Sequence, residues 1–240
     1  MFHIAYFLYD SYSPLLSFKS YAWEKVFIRT DNLLESILIP FVLTSVLYLG
    51  TIMDLLFSGR YRVLLTRYFW RDQVFSWYGA RNLIVAPTSE ELIFRACILF
   101  HLQPHFVTCR NLCLLSPLFF SLAHFHHIYE QVLEGEPLVE AFIHTLFQVS
   151  YTTIFGAYSS FLLLRTANVL SAIVAHTMCN FLSLPDFFGS LRRGKVRWGV
   201  LGQLWVVFTH LLGVYLCFRL LFPLSEPSTW FPHHAVTCRW

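Results

Sequence analysis

Apolar residues fall in long blocks along this chain, separated by short clusters of arginine, glutamate, proline and glycine rather than by the alternation of a half-buried strand. A membrane-crossing helix needs about 20 mostly apolar residues, within a working range of roughly 17 to 25. Five or six blocks qualify, near Ser36 to Phe57, Asn82 to Phe100, Leu112 to His127, Ala141 to Leu164, Val169 to Phe187 and Val200 to Phe222. The third is short for a span, and a re-entrant or water-lined segment is acceptable there only where protein covers its backbone. The pattern predicts an all-α fold, a polytopic transmembrane helix bundle. Arg60, Arg62, Arg67, Arg71 and Arg81 lie between the first two blocks, and Arg192, Arg193, Lys195 and Arg197 between the last two. Four spans separate these basic loops, so both fall on one face, which the positive-inside rule makes cytosolic.

Composition agrees with that reading. The 240 residues are 56% hydrophobic and 13% charged, with a mean hydropathy of +0.55, too little polar surface to coat a soluble globule of this size. Aromatics at 18% suit lipid-facing helices and interfacial belts. A net charge of +3 gives no reason to expect nucleic acid. The six cysteines, Cys97, Cys109, Cys113, Cys179, Cys217 and Cys238, include no CxxC pair and sit mostly in apolar surroundings. They read as helix-packing thiols rather than as a disulfide or zinc framework. The opening Met-Phe-His-Ile-Ala-Tyr lacks the basic region and cleavage site of a signal peptide. No repeat or soluble domain interrupts the pattern.

Three ionised side chains break the second block. Glu90, Glu91 and Arg95 stand in Glu-Glu-Leu-Ile-Phe-Arg, and each charge near a bilayer centre costs about 2.5 to 3.5 kcal/mol on insertion scales. Partners, water or chemistry must offset that cost. Pro87-Thr88-Ser89 just before them predicts a break in the helix, with Thr88 and Glu91 forming a capping box for a new start. Arg95, four residues after Glu91 on the same face, is its expected ion-pair partner. Glu90 projects about 100° away and is the carboxylate left free to work.

Two further polar pairs sit at one-turn spacing. Phe120 and His124 lie in Phe-Phe-Ser-Leu-Ala-His-Phe-His-His, and His176 and Asn180 in His-Thr-Met-Cys-Asn. With a rise of about 1.5 Å per residue, Glu90, His176 and Asn180 come out roughly 10 to 17 Å from the cytosolic ends of their blocks. His124 falls nearer that face and joins them if its helix tilts or continues past His127. His126 and His127 read as hydrogen-bonded structure near a membrane edge. A carboxylate, two imidazoles and an amide supply a base to activate water and donors to hold an oxyanion, which are the parts of a hydrolase. Polar pairs at this spacing also fasten helices together.

Glu-Glu-x-x-x-Arg, Phe-x-x-x-His and His-x-x-x-Asn, in that order, resemble the three motifs of the intramembrane CAAX endopeptidases and their bacterial relatives in the ABI family. Ala86-Pro87, Phe94-Arg95-Ala96-Cys97, Ala123-His124-Phe125-His126-His127-Ile128 and Phe155-Gly156-Ala157-Tyr158 are similar to the eukaryotic branch. The likeness runs from about Ile37 to Pro185, with the core motifs in residues 86–181. It implies a single integral membrane protease domain over residues 1–240, with a shortened or altered N-terminus relative to the family pattern. It implies an intramembrane catalytic cavity that removes the last three residues from farnesylated or geranylgeranylated CAAX proteins such as Ras-type small GTPases. It also implies a multi-pass protein of the endoplasmic reticulum with its site open to the cytosol. Carried onto this sequence, the family pattern has Glu90 with His124 activate water and His176 with Asn180 form the oxyanion hole. Glu91, Arg95 and Phe120 support the site, and no cofactor or cysteine nucleophile is expected.

Three alternatives stay open at this point. Glu90, His124 and His176 could supply three ligands to Zn²⁺, although no His-Glu-x-x-His occurs. A non-catalytic membrane scaffold could retain the motifs for folding. A proton-coupled transporter could use the same groups as a relay, but no inverted repeat accompanies them.

Overall fold

The ends of each helix show where the sequence stops it. The structure is a computed structural model and describes residues 27–106, 108–230 and 238–240; the opening hexapeptide lies outside them. Helices α1 (Leu33–Leu47) and α2 (Leu49–Phe57) meet at Tyr48 with a bend of 67°, so the first predicted block is a broken pair. After a run of short turns over residues 60–74, the Ser76 hydroxyl accepts a bond of 3.0 Å from the Gly79 N–H and opens α3, a continuous helical rod over residues 77–102. Helices α4 (Cys109–Ala123) and α5 (His126–Leu133) follow, then α6 (Leu138–Thr166) and α7 (Val169–Leu182). Ala167, at φ 52°, ends α6, and the Asn168 side chain caps α7 at the Leu170 N–H, 3.0 Å away. Ser183, at φ 61°, and Pro185 stop α7 earlier than expected. Asp186 then caps α8 (Phe187–Leu224) through the Gly189 N–H at 2.9 Å.

The predicted break at Pro87 is absent. Two wide π-turns, Arg81–Val85 and Leu92–Cys97, flank Ala86–Glu91 within α3, and such turns are common at functional sites. Pro87 has no N–H for the carbonyls one turn back. Those of Leu83 and Asn82 instead accept from α7, Leu83 from the Thr177 hydroxyl and Asn82 from the Asn180 amide, both at 2.9 Å. Satisfying the freed carbonyls from a neighbouring helix lets the proline stay inside the rod. The capping box does not form, and the nearby Ser89 hydroxyl bonds back to Val85 and Ala86.

The third block is longer than its apolar run suggested. Cys109–Leu133 is long and apolar enough to span a membrane, and so is Phe187–Leu224. The bent α1–α2 pair makes a third if it is one span. Helix α8 contains a break at Trp198 and Gly199, whose φ of 60° and ψ of −139° only glycine adopts readily. The break brings Gly194 and Gly202 together so closely that a Cβ on Gly202 would lie 2.1 Å from the Gly194 carbonyl oxygen. The stretch beyond it matches the predicted block from Val200 to Phe222.

The core gathers Leu43, Leu99, Leu112, Leu162, Leu163, Leu164 and Ala172, while Leu34, Ile154, Leu201 and Phe218 point outward, as lipid-facing side chains do. Small and hydroxyl residues zip α4 to α6. Ser116 bonds Ser160 at 2.8 Å, Thr153 bonds Ser121 at 2.8 Å, and Gly156 meets Pro117 where a Cβ would stand 2.7 Å away.

The bundle has two distinct ends. At one, Asp54 at the end of α2 is held by Arg193 at 2.6 Å and by Arg60 at 3.6 Å, so the two basic loops share a face as expected. At the other, Cys109 and Cys238 form a disulfide. This corrects the expectation of six packing thiols: the partner Cys238 lies in a polar tail with no spacing signal. The Cys109 N–H also bonds the Arg239 carbonyl at 2.8 Å. Trp240 thereby reaches Phe161 and Phe222, with ring centroids 4.9 and 6.1 Å away.

Candidate active site

Glu91 is the hub of the site. It is fully buried on α3 and accepts from the Ser159 hydroxyl of α6 at 2.6 Å and from His176 Nδ1 of α7 at 2.7 Å. Arg95, also fully buried, completes the expected ion pair, with Nε 3.3 Å from the carboxylate. Its guanidinium lies over the Phe120 ring at 4.3 Å and near Phe155 at 5.8 Å, a cation–π cage that favours the charge in a dry setting. Gly156 leaves room for it, since a Cβ there would come within 3.0 Å of Arg95 Nη2.

Glu90, on the same turn, takes a different environment. Its side chain keeps 35% of its surface exposed and lies 3.7 Å from His176 Nε2. One imidazole therefore spans both carboxylates. Because a carboxylate can only accept, the bond to Glu91 assigns the proton to Nδ1 and directs Nε2 toward Glu90. Phe155 fixes the ring from the side at 5.0 Å.

His124 occupies the turn between α4 and α5. Its Nδ1 donates to the Phe120 carbonyl at 2.8 Å, which leaves the Nε2 lone pair available. Its ring meets Phe120 edge-on at 4.5 Å, so a chain of contacts runs from Glu91 through Arg95 and Phe120 to His124. No hydrogen bond or ion pair joins His124 to Glu90. Asn180 is exposed at the end of α7, one amide N–H engaged by Asn82. The three motifs thus border one region between α3, α4, α6 and α7. Glu90, Glu91 and His176 are in contact, His124 connects to them through Phe120 and Arg95, and Asn180 lies one turn beyond His176 on α7.

The ligand atoms of Glu90, His124 and His176 do not gather into one metal-binding group among the described residues. His126 and His127 make the structural bonds expected of them, to the Ala123 carbonyl and to Glu130.

Sequence reasoning missed Ser159 and Thr177. Ser159 directly follows the Phe-Gly-Ala-Tyr string and Thr177 follows His176, but a serine or threonine in an apolar helix carries no mark of what it will bond.

A helical membrane protein with a carboxylate pair sharing an imidazole, one turn past a proline held inside its helix, defines a class of intramembrane polar site. Comparison with known proteins gives the family. The family described as Type II CAAX prenyl endopeptidase Rce1-like matches residues 71–182. The chain is 34% identical to human CAAX prenyl protease 2 over 210 residues, covering 83% of this chain and 60% of the human protein. It is 35% identical to the Caenorhabditis elegans protein of that name over 158 residues, with 66% and 59% covered. It is 32% identical to the Arabidopsis thaliana one over 233 residues, with 86% and 70% covered. The chain belongs to this Rce1-like family of CAAX prenyl proteases, and spans about three fifths of the human and nematode relatives' length. No solved structure matches it.

Proposed function

We propose that this protein is an intramembrane endopeptidase that removes the C-terminal tripeptide from prenylated CAAX proteins. The observation that carries the reading is the division of labour around His176, with Glu91 buried and fully engaged and Glu90 beside it open to solvent. The relatives' shared name, CAAX prenyl protease 2, supplies the substrate class.

In the proposed reaction, Glu90 takes a proton from water, assisted by the free Nε2 of His124, and the hydroxide oxygen bonds to the scissile carbonyl carbon. The resulting oxyanion is held by His176, in its imidazolium form, and by the second amide N–H of Asn180. Glu90 then returns the proton to the departing amine as the C–N bond breaks, releasing the tripeptide. Glu91, Arg95 and Phe120 hold the imidazole and the α3–α4 contact in place. The chemistry uses no metal or other cofactor.

The substrates in this reading are farnesylated or geranylgeranylated proteins of the Ras-type small GTPase kind, whose prenyl chain lies in lipid beside the site. The membrane is that of the endoplasmic reticulum, with the basic end in the cytosol. Two independent features support this orientation. Arginine-rich loops favour the cytosolic side, and the disulfide at the opposite end suits an oxidising lumen. The Phe69–Phe181 ring contact, with centroids 6.0 Å apart, supports a site whose Asn180 side is near the basic end.

The test incubates the detergent-purified protein with a farnesylated CAAX peptide and its unprenylated twin, with chelator present, and identifies products by mass spectrometry. Loss of three residues from the prenylated peptide alone is expected. Cleavage abolished by chelator and restored by zinc in the Glu130→Gln protein as in wild type would favour the metalloprotease alternative, and no cleavage by the folded protein would favour the scaffold.

A further inference from the structure

Two residues beyond His124, the first turn of α5 presents a second cluster that the proposed hydrolysis does not use. His127 Nδ1 lies 2.7 Å from Glu130 Oε2, His126 Nε2 lies 3.8 Å from Glu130 Oε1, and the two imidazole centroids are 4.0 Å apart. One ligand atom from each of the three residues falls within 4.8 Å of the others. Donors around a tetrahedral zinc ion, at bond lengths near 2.0 to 2.1 Å, stand about 3.3 Å apart. His126 and Glu130 are exposed, and binding an ion draws the three side chains closer together.

The His126 tautomer also suits a metal, while His127 Nδ1, which donates to Glu130, gives up that proton when an ion takes its place. His126 Nδ1 bonds the Ala123 carbonyl, which places its proton there and leaves Nε2 with a free lone pair. Metal-ligating histidines typically carry such a bond on the nitrogen that does not bind the ion. We propose that His126, His127 and Glu130 bind one divalent transition-metal ion of the zinc class, at a site distinct from the Glu90–Glu91–His176 cluster. Two imidazoles and a carboxylate with a fourth position for water form a donor set that zinc accepts.

The consequence falls on His124. The His127 N–H bonds the His124 carbonyl at 3.1 Å, and the two rings are 5.7 Å apart. An ion tying the first turn of α5 together therefore stiffens the turn that presents His124. The residues act as positioning groups and touch no reacting atom.

The full chain, purified in detergent and stripped with chelator, is titrated with Zn²⁺ and Co²⁺ alone, following stoichiometry, visible absorption and the unfolding midpoint. One ion per chain is expected, with a four-coordinate Co²⁺ spectrum and a higher midpoint. His126→Ala, and separately Glu130→Gln, should weaken binding at least tenfold and remove the metal-induced rise while keeping the metal-free midpoint. Glu90→Gln should bind as wild type does. Absence of binding by wild type, equal binding by His126→Ala and Glu130→Gln, or loss of binding in Glu90→Gln would each overturn the site. His127→Gln serves as a second variant should His126→Ala fail to fold.

Discussion

Arg95 and Arg165 are both buried and both caged by aromatic rings, but their polar partners differ. Arg165 lies near Phe161, Phe222 and Trp240, and its donors reach the Ser225 hydroxyl at 3.1 Å and the Phe222 carbonyl and Glu226 at 3.0 Å each. Arg95 has the Glu91 carboxylate at 3.3 Å and otherwise faces Phe120 and Phe155. A guanidinium bonded to hydroxyl, carbonyl and an exposed carboxylate fastens a tail to a bundle. One paired with a single buried carboxylate, itself shared with His176, holds in position the imidazole that the proposed reaction uses. The comparison separates an arginine that serves the fold from one that serves the site.

The largest effect that would sharpen this contrast comes from breaking the inner pair. Arg95→Met leaves Glu91 buried without its cation and is expected to cost about 3 to 5 kcal/mol, the usual penalty for an uncompensated buried charge. Adding Glu91→Gln should restore part of that loss. Unfolding in detergent measures both, and strictly additive effects would show that the two side chains are not coupled.

At the outer end, Cys238→Ser releases the strand that carries Trp240 over Arg165. Removing a native disulfide typically costs about 2 to 5 kcal/mol, and the variant should unfold earlier while its cleavage per folded molecule stays at the wild-type level. Loss of activity without loss of stability would place the tail in the chemistry and erase the distinction.

The smallest effect is a pH dependence. The Arg165 guanidinium bonded to Glu226 holds that carboxyl below the usual glutamate range. A depressed folded value means the contribution is complete above the ordinary range and is lost as pH falls toward and through the lower folded value. Glu226→Gln should remove a slight acid-side decline in the unfolding midpoint, slight because the carboxylate is solvent-screened. An unchanged profile would show that Ser225 and the Phe222 carbonyl alone hold Arg165.

The inner arginine was the more legible of the two. Glu91 and Arg95 are four residues apart on one helix, and helical spacing alone pairs them. The partners of Arg165 are 57 to 61 residues away, and nothing local in the sequence brings them together. The same reasoning explains the other departures. Pro87 reads as a break because sequence shows the missing N–H but not the Thr177 and Asn180 side chains that repair it from another helix. The Cys109–Cys238 bond spans 129 residues and has no periodic signature. Residues 109–133 outrun their apolar run because His126, His127, Glu130 and Gln131 interrupt the apolar residues of α5.

With Glu90 proposed as the working carboxylate and Glu91 as the holding one, single-turnover cleavage of a farnesylated CAAX peptide by Glu90→Gln, with its unfolding midpoint, tests that division most directly. General-base contributions are typically about 10²- to 10⁴-fold, so a loss of at least that size is expected, with a midpoint close to that of wild type. Near-normal cleavage by a folded Glu90→Gln protein would contradict the account and move the base to another residue.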